Sequence, residues 1–256
     1  MMRRVLVTGG TGTLGRRVVA AAVAAGHDVR ALSRHDRTEE TKIDWRRGDL
    51  FAGVGIDDAV DGVDVVVHCA TQFARDKDVV STRRLIAAAH RAGVKHIIYV
   101  SIVGIDRIPL PYYRVKLCVE EALAGSGLGH TIVRATQFHD LVAVIFAMQR
   151  FSPVLWALRG VRFQPIDTRD VASHLVSLVD AEPAGRVADI GGPAVREHME
   201  LAHTYLESRG GRRHVIGVTA PGRILGGYRS GANLAPDNPV GSITFEDYLA
   251  EGHHAR

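Results

Sequence analysis

Short runs of β-branched and other apolar residues alternate with alanine-rich stretches along the first two-thirds of the chain, and this alternation constrains the fold more than any other feature. Residues 63–67 (Val-Asp-Val-Val-Val) and 97–100 (Ile-Ile-Tyr-Val) are almost continuously apolar. Such strands are typical of a parallel sheet that helices cover on both faces. Alternating strands and helices then imply right-handed βαβ crossovers and a doubly wound sheet.

The pattern predicts the following elements before residue 155. Strands are predicted at Arg4–Thr8, Asp28–Ser33, Ile43–Arg46, Val63–Cys69, His96–Ser101 and Thr131–Ala135. Helices are predicted between them, at Thr13–Ala25, Val54–Ala59, Val79–Ala92, Tyr112–Ala124 and Asp140–Arg150. Together they predict an α/β fold of the Rossmann type.

After about residue 155 the alternation becomes less regular. Residues 220–238 are rich in glycine and proline, which predicts a loop. We predict a dinucleotide-binding core at residues 1–155 and a smaller C-terminal substrate-binding cap at residues 156–256, some segments of which return to the core. The further strands are predicted at Val161–Ile166 and Arg186–Ile190, and the further helices at Asp170–Asp180 and Arg196–Arg209.

The composition narrows the class of protein. Of the 256 residues 46% are hydrophobic and 23% are charged, which is typical of a globular protein. Cys69 and Cys118 are the only cysteines and form no CxxC motif, so we expect no metal site and no disulfide framework, and a reducing cytoplasm. The net charge of +4 is not concentrated in a basic stripe, which argues against nucleic acid. Arg150 and Pro153 interrupt the longest apolar stretch, which argues against a membrane span.

The segment TGGTGTLG, residues 8–15, places three glycines three residues apart between a predicted strand and a predicted helix. Gly9 permits the tight turn, Gly12 lets the backbone approach a pyrophosphate, and Gly15 lets the helix pack closely on the sheet. The helix N-terminus supplies free N–H groups for the phosphates. The alternative is a tight turn that binds nothing. We predict dinucleotide contacts from Gly9, Thr11, Gly12, Thr13, Leu14 and Gly15.

The end of the second predicted strand indicates which dinucleotide is preferred. Asp28 has the spacing of an NAD-selecting acid, but it opens this strand and would lie about 17 Å from the ribose. Ser33 and Arg34 stand at the proper end, and Arg37 follows. Because a guanidinium holds a phosphate bidentately, we predict NADP(H) rather than NAD(H). The alternative is that Arg34 is a solvated loop residue.

The ends of the third and fourth predicted strands supply further candidate contacts. In a doubly wound fold the ligand binds outside the carboxyl ends of the strands. His68 lies there as well, either as a ligand contact or as a histidine satisfied within the core. The predicted cofactor contacts at these ends are Asp49, Leu50, Cys69, Ala70 and Thr71.

A tyrosine and a lysine follow the fifth predicted strand. Tyr112 and Lys116 are four residues apart and share one face of a helix that Pro111 is suited to begin. An ammonium beside a phenol is expected to lower the phenol pKa. Such a tyrosine transfers a proton to or from a carbonyl or alcohol while a nicotinamide transfers hydride. Ser101, at the end of the strand, is predicted to hold the carbonyl oxygen.

With these motifs in place, the sequence resembles the short-chain dehydrogenase/reductase superfamily, and its details resemble the atypical, NmrA-like NAD(P)H-binding branch. The resemblance covers about residues 3–250. It rests on the glycine segment, SIVG at 101–104, YYRVK at 112–116, RATQFHD at 134–140, DVA at 170–172 and GGP at 191–193.

The resemblance implies an NADP-bound Rossmann core with a small C-terminal substrate cap. It places Lys116 on the nicotinamide ribose, makes Tyr112 the proton donor and makes Ser101 its helper. The sequence departs from the superfamily in having only 11 residues from Ser101 to Tyr112, and HCAT rather than NAG at residues 68–71. In the atypical branch the tyrosine is often missing or inactive, so Tyr112 could instead pack against the cap, with Tyr113 facing solvent.

On the substrate side, Gln137, Phe138 and His139 follow the sixth predicted strand and offer an aromatic wall with polar groups. His139 is either an acid–base group or a helix-opening histidine with a local hydrogen bond. The apolar residues of 142–156 are either core or the lining of a hydrophobic site.

Three functions are consistent with the sequence. The first is an NADP(H)-dependent oxidoreductase that reduces or oxidises a small, largely apolar carbonyl, enone or quinone. The second is a redox sensor or regulator that binds NADP(H) without turnover. The third is a nucleotide-sugar epimerase or dehydratase, which the lack of well-placed cationic groups after residue 155 disfavours. We expect a cytoplasmic monomer or homodimer with a small-molecule substrate and neither a nucleic-acid nor a membrane partner.

Overall fold

The computed structural model describes residues 2–37, 42–72 and 76–252. The chain divides into two compact units, each built from three segments. The sequence predicts one boundary after residue 155, with returning segments, whereas the units of the structure interleave along the chain. The first unit comprises Met1–Ser101, Pro111–Arg134 and Val171–Ala188, and the second comprises Ile102–Leu110, Ala135–Asp170 and Asp189–Arg256.

The described residues form strands and helices in the following order. The strands are β1 (Arg4–Thr8), β2 (Asp28–Ser33), β3 (Ile43–Arg47), β4 (Val65–His68), β5 (His96–Ile102), β6 (His130–Ala135), β7 (Val154–Leu158), β8 (Arg162–Phe163), β9 (Gly185–Arg186), β10 (Arg196–Glu197) and β11 (His214–Val218). The helices are α1 (Gly15–Ala24), α2 (Ile56–Val60), α3 (Lys77–Ala92), α4 (Pro111–Ala124), α5 (His139–Ala147), α6 (Thr168–Ser177), α7 (His198–Ser208), α8 (Arg223–Arg229) and α9 (Phe245–Ala250).

The first unit contains a seven-stranded sheet in the order β3-β2-β1-β4-β5-β6-β9. Strand β1 pairs in parallel with β2 on one side and with β4 on the other, so the strand order reverses between β1 and β4. This is the topological switch point of a doubly wound fold, where ligands bind outside the carboxyl ends of the strands. The predicted Rossmann-type parallel sheet is therefore confirmed, and its first six strands lie within two residues of their predicted bounds.

The second unit departs further from the sequence-based prediction. Strands β7 and β11 form a parallel pair, and neither was predicted, nor was α9. The predicted loop at 220–238 is wrong, because α8 occupies part of it. The sequence shows no helical signal here, because α8 contains Gly226-Gly227 and has no buried residue that would form an apolar stripe. The predicted strand 161–166 shortens to β8, because only two of its residues pair with β10. In the first unit, the predicted strand 186–190 likewise shortens to β9, which pairs with β6 at only two positions.

Each unit has its own apolar core. In the first unit the core lies between the sheet and helices α2, α3 and α4, and includes Leu6, Leu85 and Ile97. In the second unit Phe146 and Leu155 are fully buried within a core that also takes residues from α7 and α9. The apolar stretch after β6 is therefore only partly core, because several of its residues remain exposed, namely Leu141, Val144, Met148, Phe151 and Trp156. No helix in the described part of the chain has both the length and the apolar character needed to cross a membrane.

A buried ion pair connects α4 to β6 within the first unit. Arg134 donates from Nε and Nη2 to the two carboxylate oxygens of Glu120 at 2.9 and 2.8 Å. Both side chains are less than a tenth exposed. Because a bidentate pair satisfies both charges, it holds the helix on the sheet without leaving an uncompensated ion.

We predict that Glu120→Gln lowers the free energy of unfolding by about 3 kcal/mol, since the buried guanidinium loses its counter-charge. The double variant Glu120→Leu/Arg134→Met should recover most of this loss, because no buried charge remains. Urea unfolding followed by circular dichroism measures both. Asp57→Asn, which breaks the exposed pair of Asp57 with Arg91, is the control and should change stability little. A double variant no more stable than the single one would contradict the prediction.

Candidate functional site: the glycine loop and the strand ends of the first unit

The glycine loop forms a tight turn between β1 and α1. Gly9 has a φ of 68°, and a Cβ there would lie 2.8 Å from the backbone of Ala70, which follows β4. The N–H of Gly12 donates to the carbonyl of Gly9 at 2.9 Å. A Cβ on Gly15 would overlap the same carbonyl. The absence of side chains at these positions therefore brings the ends of β1 and β4 and the start of α1 together.

The start of α1 is suited to an anion. No side chain of residues 2–37, 42–72 or 76–252 caps it, and no acidic residue lies in its first turn. Thr11, Gly12 and Thr13 are exposed, while Leu14 is buried beneath them. Free backbone N–H groups and the positive end of the helix dipole are the features that bind a pyrophosphate. The loop therefore fits the diphosphate of a dinucleotide.

The residues considered for cofactor selectivity lie at opposite ends of β2. Asp28 begins the strand and forms an ion pair with Arg4, with 2.6 Å between Oδ2 and Nε. Ser33 ends the strand, and its hydroxyl both donates to and accepts from the backbone of His35, at 2.8 and 3.2 Å. Arg34 follows and is exposed. The carboxyl end of β2 thus carries the Arg34 guanidinium and a fixed turn. Asp28 lies at the opposite, amino end of the strand.

After β3, the side chain of Asp49 shapes a turn. Its Oδ1 accepts from the N–H groups of Phe51 and Ala52 at 2.7 and 3.0 Å. Leu50 is buried and belongs to the core of the first unit. One carboxylate oxygen of Asp49 is therefore committed to the turn, and Leu50 supports it from the core side.

The side chain of His68 is satisfied within the core. Its Nε2 lies 3.0 Å from Thr82 Oγ1, whose own proton goes to the carbonyl of Asp78 at 2.8 Å. Nε2 must therefore carry the proton, and Nδ1 accepts from Thr8 Oγ1 at 2.7 Å. Burial, together with the nearby charge of Lys116, lowers the pKa of His68 to about 3. Of the two interpretations of His68, the structure supports the core histidine.

The residues after β4 differ in character. Burial raises the pKa of the Cys69 thiol to about 12, which keeps it neutral. The N–H of Ala70 donates to Thr8 Oγ1 at 3.3 Å. Thr71 is exposed, and its hydroxyl donates to Asp78 Oδ2 at 2.7 Å. This segment therefore combines an exposed threonine, whose hydroxyl is hydrogen-bonded, with an inert thiol.

Tyr112 lies in the first turn of α4 and contacts that hydroxyl. Its Oη is 3.0 Å from Thr71 Oγ1. Because the single proton of Thr71 is given to Asp78, the phenol is the donor in this bond. Burial, with a smaller contribution from the charge of Asp78, raises the pKa of Tyr112 above its ordinary value. This direction is opposite to the lowering by Lys116 that the sequence led us to expect.

Lys116 is buried and faces β5. Its Nζ donates to the carbonyl of Val100 at 2.9 Å and lies 4.3 Å from the centre of the Tyr99 ring. Burial lowers the pKa of Lys116 to about 8, against the opposing effect of Asp78. The ammonium is therefore held beside the end of β5 and retains its charge at neutral pH.

Ser101 follows Val100 in β5. The residue is buried, and its Oγ has no hydrogen-bond partner among residues 2–37, 42–72 and 76–252. A buried hydroxyl without a partner is costly, so the Ser101 Oγ would gain from an additional hydrogen bond. On α4, Tyr113 is buried while Tyr112 is half-exposed. The alternative in which Tyr113 faces solvent is therefore wrong.

The residues expected to face a substrate lie in the second unit. His139 is fully buried and donates from Nε2 to the carbonyl of Ile243 at 3.0 Å, while burial lowers its pKa. Gln137 is buried and exchanges long hydrogen bonds of 3.4 Å with Asn233. Phe138 is half-buried and is the most exposed of the three. The polar side chains of this segment are therefore engaged in the packing of the second unit.

The other motifs of the resemblance also have structural partners. Asp170 accepts from the N–H groups of Ser242 and Ile243 at 2.9 and 3.0 Å. A Cβ on Gly191 would collide with the amide of Gln164, which donates to the carbonyl of Gly192 at 2.9 Å. These motifs fix the second unit internally.

Sequence reasoning missed Asp78, which connects Thr71 to α3. The carboxylate is buried and also accepts from the N–H of Gln72 at 2.7 Å. An acidic residue in the first turn of a helix usually complements the helix dipole at the surface, so its type and position do not reveal burial. The one feature of the sequence that could have indicated Asp78 is its position ten residues after the end of the central strand β4.

The fold and this site define a dinucleotide-binding protein of the Rossmann type. A family model described as NAD(P)H-binding matches residues 9–182. The chain belongs to this NAD(P)H-binding family, which agrees with the family resemblance described from the sequence. The predicted cofactor class, a nicotinamide dinucleotide, is confirmed with it.

Three known proteins illustrate the relationship. The photosystem II assembly factor Ycf39 of Synechocystis is 30% identical over 72% of this chain, which spans 60% of that protein's length. A (4-alkanoyl-5-oxo-2,5-dihydrofuran-3-yl)methyl phosphate reductase of Streptomyces griseus is 30% identical over 74% of this chain and 68% of that protein. The NADPH complex of an Escherichia coli quinone oxidoreductase superposes with a TM-score of 0.78 at 19% identity, covering 96% of this chain and 99% of that one. This last similarity concerns the fold.

We predict that Gly12→Ala and Gly15→Ala weaken NADPH binding at least about tenfold but differ in their effect on folding. A methyl group on Gly12 would lie 3.3 Å from the Gly9 carbonyl, a tight contact that a small shift of the loop relieves, so the melting temperature should fall only slightly. On Gly15 it overlaps that carbonyl, so stability falls as well. Fluorescence titration with NADPH and thermal melts measure the two effects.

Gly226→Ala is the control, since open space surrounds Gly226 and its φ is not positive. It should bind NADPH with wild-type affinity. Normal NADPH affinity in Gly12→Ala would mean that the loop does not hold the dinucleotide.

Proposed function

We propose that the protein is an NADPH-dependent reductase of a small, largely apolar carbonyl, enone or quinone. The observation that carries the proposal is the arrangement at the ends of β4 and β5. There a half-exposed, protonated Tyr112, a buried charged Lys116 and a Ser101 hydroxyl with no partner among the described residues belong to the unit that contains the glycine loop.

Each residue has a distinct proposed role. Tyr112 is the proton donor, because its raised pKa keeps the phenol protonated at neutral pH. Ser101 donates its hydroxyl to the substrate oxygen, which would satisfy the buried Oγ. Lys116 holds the nicotinamide ribose. The hydrogen bond from its Nζ to the carbonyl of Val100 sets the position of the ammonium along β5. The bound cofactor supplies the hydride.

The remaining predicted contacts complete the proposed cofactor site. Arg34 is proposed to bind the 2′-phosphate, supported by the turn of Ser33. Asp49 and Leu50 are proposed beside the adenine ring. The backbone of Cys69, Ala70 and Thr71 is proposed to flank the dinucleotide, because a Cβ on Gly9 would contact Ala70 and the chain passes close there.

We propose that Phe138 is the aromatic contact of the substrate. Gln137 and His139, on either side of it, are proposed to fix the position of the Phe138 ring. The burial of both polar side chains supports this division. The quinone class is suggested by the Escherichia coli protein whose fold is similar.

A second candidate function is NADP(H) binding without turnover, as part of a protein that assists the assembly of others. The Synechocystis relative is described as an assembly factor. The raised pKa of Tyr112 is consistent with this candidate too, because a phenol that is harder to ionise is a weaker proton donor.

We predict that Arg34→Ala weakens NADPH binding about tenfold to a hundredfold, the range expected for a charged hydrogen-bonding partner, and leaves NADH binding unchanged. The loss should be confined to the cofactor that carries the 2′-phosphate. Calorimetric titration of wild type and variant with both cofactors measures it. Arg37→Ala is the comparison, since Arg37 lies over the Trp45 ring at 5.4 Å. Equal losses for NADPH and NADH would refute the assignment.

We predict that Tyr112→Phe lowers kcat for NADPH-dependent reduction at least about a hundredfold, the usual contribution of a general acid, without changing the affinity for NADPH. The assay follows NADPH absorbance with quinones, enones and aromatic ketones. Tyr113→Phe removes one hydroxyl from the neighbouring buried position and is the matched control. Wild-type protein that binds NADPH but reduces none of the panel would favour the second candidate function.

A further inference from the structure

We propose that Thr71 and Asp78 form a positioning pair for Tyr112, in which the Thr71 hydroxyl turns from the Asp78 carboxylate to the Tyr112 oxygen when Tyr112 releases its proton. This inference rests on the proposed reductase function and assigns it two further residues. Thr71 acts on Tyr112 directly, and Asp78 acts through Thr71.

The geometry defines a chain of three groups. Tyr112 Oη is 3.0 Å from Thr71 Oγ1, and Thr71 Oγ1 is 2.7 Å from Asp78 Oδ2. The other carboxylate oxygen, Oδ1, accepts from the N–H of Gln72 at 2.7 Å. Asp78 is thus fixed at both oxygens, and it fixes the rotation of the Thr71 hydroxyl.

A hydroxyl has one proton and can donate to only one of two acceptors at a time. While Tyr112 is protonated, the phenol donates to Thr71 and Thr71 donates to Asp78. Once Tyr112 is a phenolate, it becomes a strong acceptor, and a rotation about one bond lets Thr71 donate to it. A hydrogen bond to the charged form stabilises that form.

The protons and electrons of the proposed reaction balance when the Thr71 hydroxyl rotates in this way. Hydride adds to the substrate carbon, or to the conjugated system of a quinone, and the Tyr112 proton adds to the substrate oxygen, which leaves oxidised cofactor, reduced substrate and a Tyr112 phenolate. The phenolate regains a proton from water, since Tyr112 is half-exposed. No proton leaves Asp78 at any step.

The charged and titratable groups near Tyr112 come from several elements. Asp78 of α3 opposes ionisation of Tyr112, and the Thr71 hydrogen bond favours it. Tyr99 of β5 stays neutral, because burial raises its pKa well above its ordinary value. Cys69 after β4 is neutral, and Lys116 on α4 is the nearby buried cation. Thr71 and Asp78 therefore act on Tyr112 in opposite directions.

The test compares Thr71→Val, Thr71→Ser and Asp78→Asn. Thr71→Val should lower kcat about tenfold to a hundredfold, the range for a hydrogen bond to a charged group, with KM and NADPH affinity unchanged. Thr71→Ser retains the hydroxyl and should restore kcat to within about threefold. Ser81→Ala is the control, because Ser81 lies on the same helix and its hydroxyl accepts a long hydrogen bond of 3.5 Å from the side chain of Gln72.

A spectroscopic titration tests the pair independently of turnover. The tyrosinate absorbance of each variant is compared with that of Tyr112→Phe, which isolates the contribution of Tyr112. Thr71→Val should raise the pKa of Tyr112, and Asp78→Asn should lower it. A role confined to folding would not move this pKa in opposite directions in the two variants.

The outcomes separate the two proposals. If wild type reduces no substrate but the two pKa changes occur, the reductase function fails and the pair stands as a device that sets Tyr112 ionisation. If turnover occurs but Thr71→Val affects only NADPH affinity, or Thr71→Ser fails to rescue kcat, the pair is refuted. Unchanged Tyr112 ionisation in both variants would also refute it.

Discussion

The arrangement of the site depends on the close backbone approach between Gly9 and Ala70 at the switch point of the sheet. No Cβ fits between these two chain segments. The ends of β1 and β4 therefore lie against each other, and the Thr8 hydroxyl bonds both the His68 ring and the N–H of Ala70. This contact fixes where the chain leaves β4. It consequently also sets the position of Thr71, which meets α4 through its hydroxyl.

Burial at these strand ends keeps several of the described side chains neutral beside the Lys116 ammonium and the Asp78 carboxylate. His68 is a neutral imidazole with both nitrogens satisfied, Cys69 is a neutral thiol, and Tyr99 is a neutral phenol. Lys116 carries the charge, and its own pKa is lowered by the same desolvation. A single positive charge in an environment of low dielectric constant interacts strongly with a ligand that has negative or electron-rich groups. The electrostatic character of the site therefore depends on the Lys116 ammonium together with the buried Asp78 carboxylate, whose charge opposes the lowering of the Lys116 pKa by burial.

The sequence predicted most of the first unit, because its buried strands, its helical stretches and the glycine loop are local patterns. It predicted less of the second unit. The β7–β11 pair joins residues about 60 apart, and the glycines of α8 weaken any helical signal. At the site, residue types and spacing indicated Tyr112 and Lys116 correctly as neighbours on one helix. They could not reveal that burial raises the Tyr112 pKa against the effect of the Thr71 hydrogen bond, nor that Asp78 is buried, because both depend on tertiary packing.

The interleaving of the two units has a consequence for how the protein is made. Residues 135–170 belong to the second unit, yet they precede residues 171–188, which complete the first. A nascent chain therefore cannot finish the first unit and then begin the second, as chains with consecutive domains do during translation. Edge strand β9 joins β6 only after a large part of the second unit has been synthesised. Folding of either unit must wait for late segments of the chain, which prolongs the period in which unpaired strand edges are exposed.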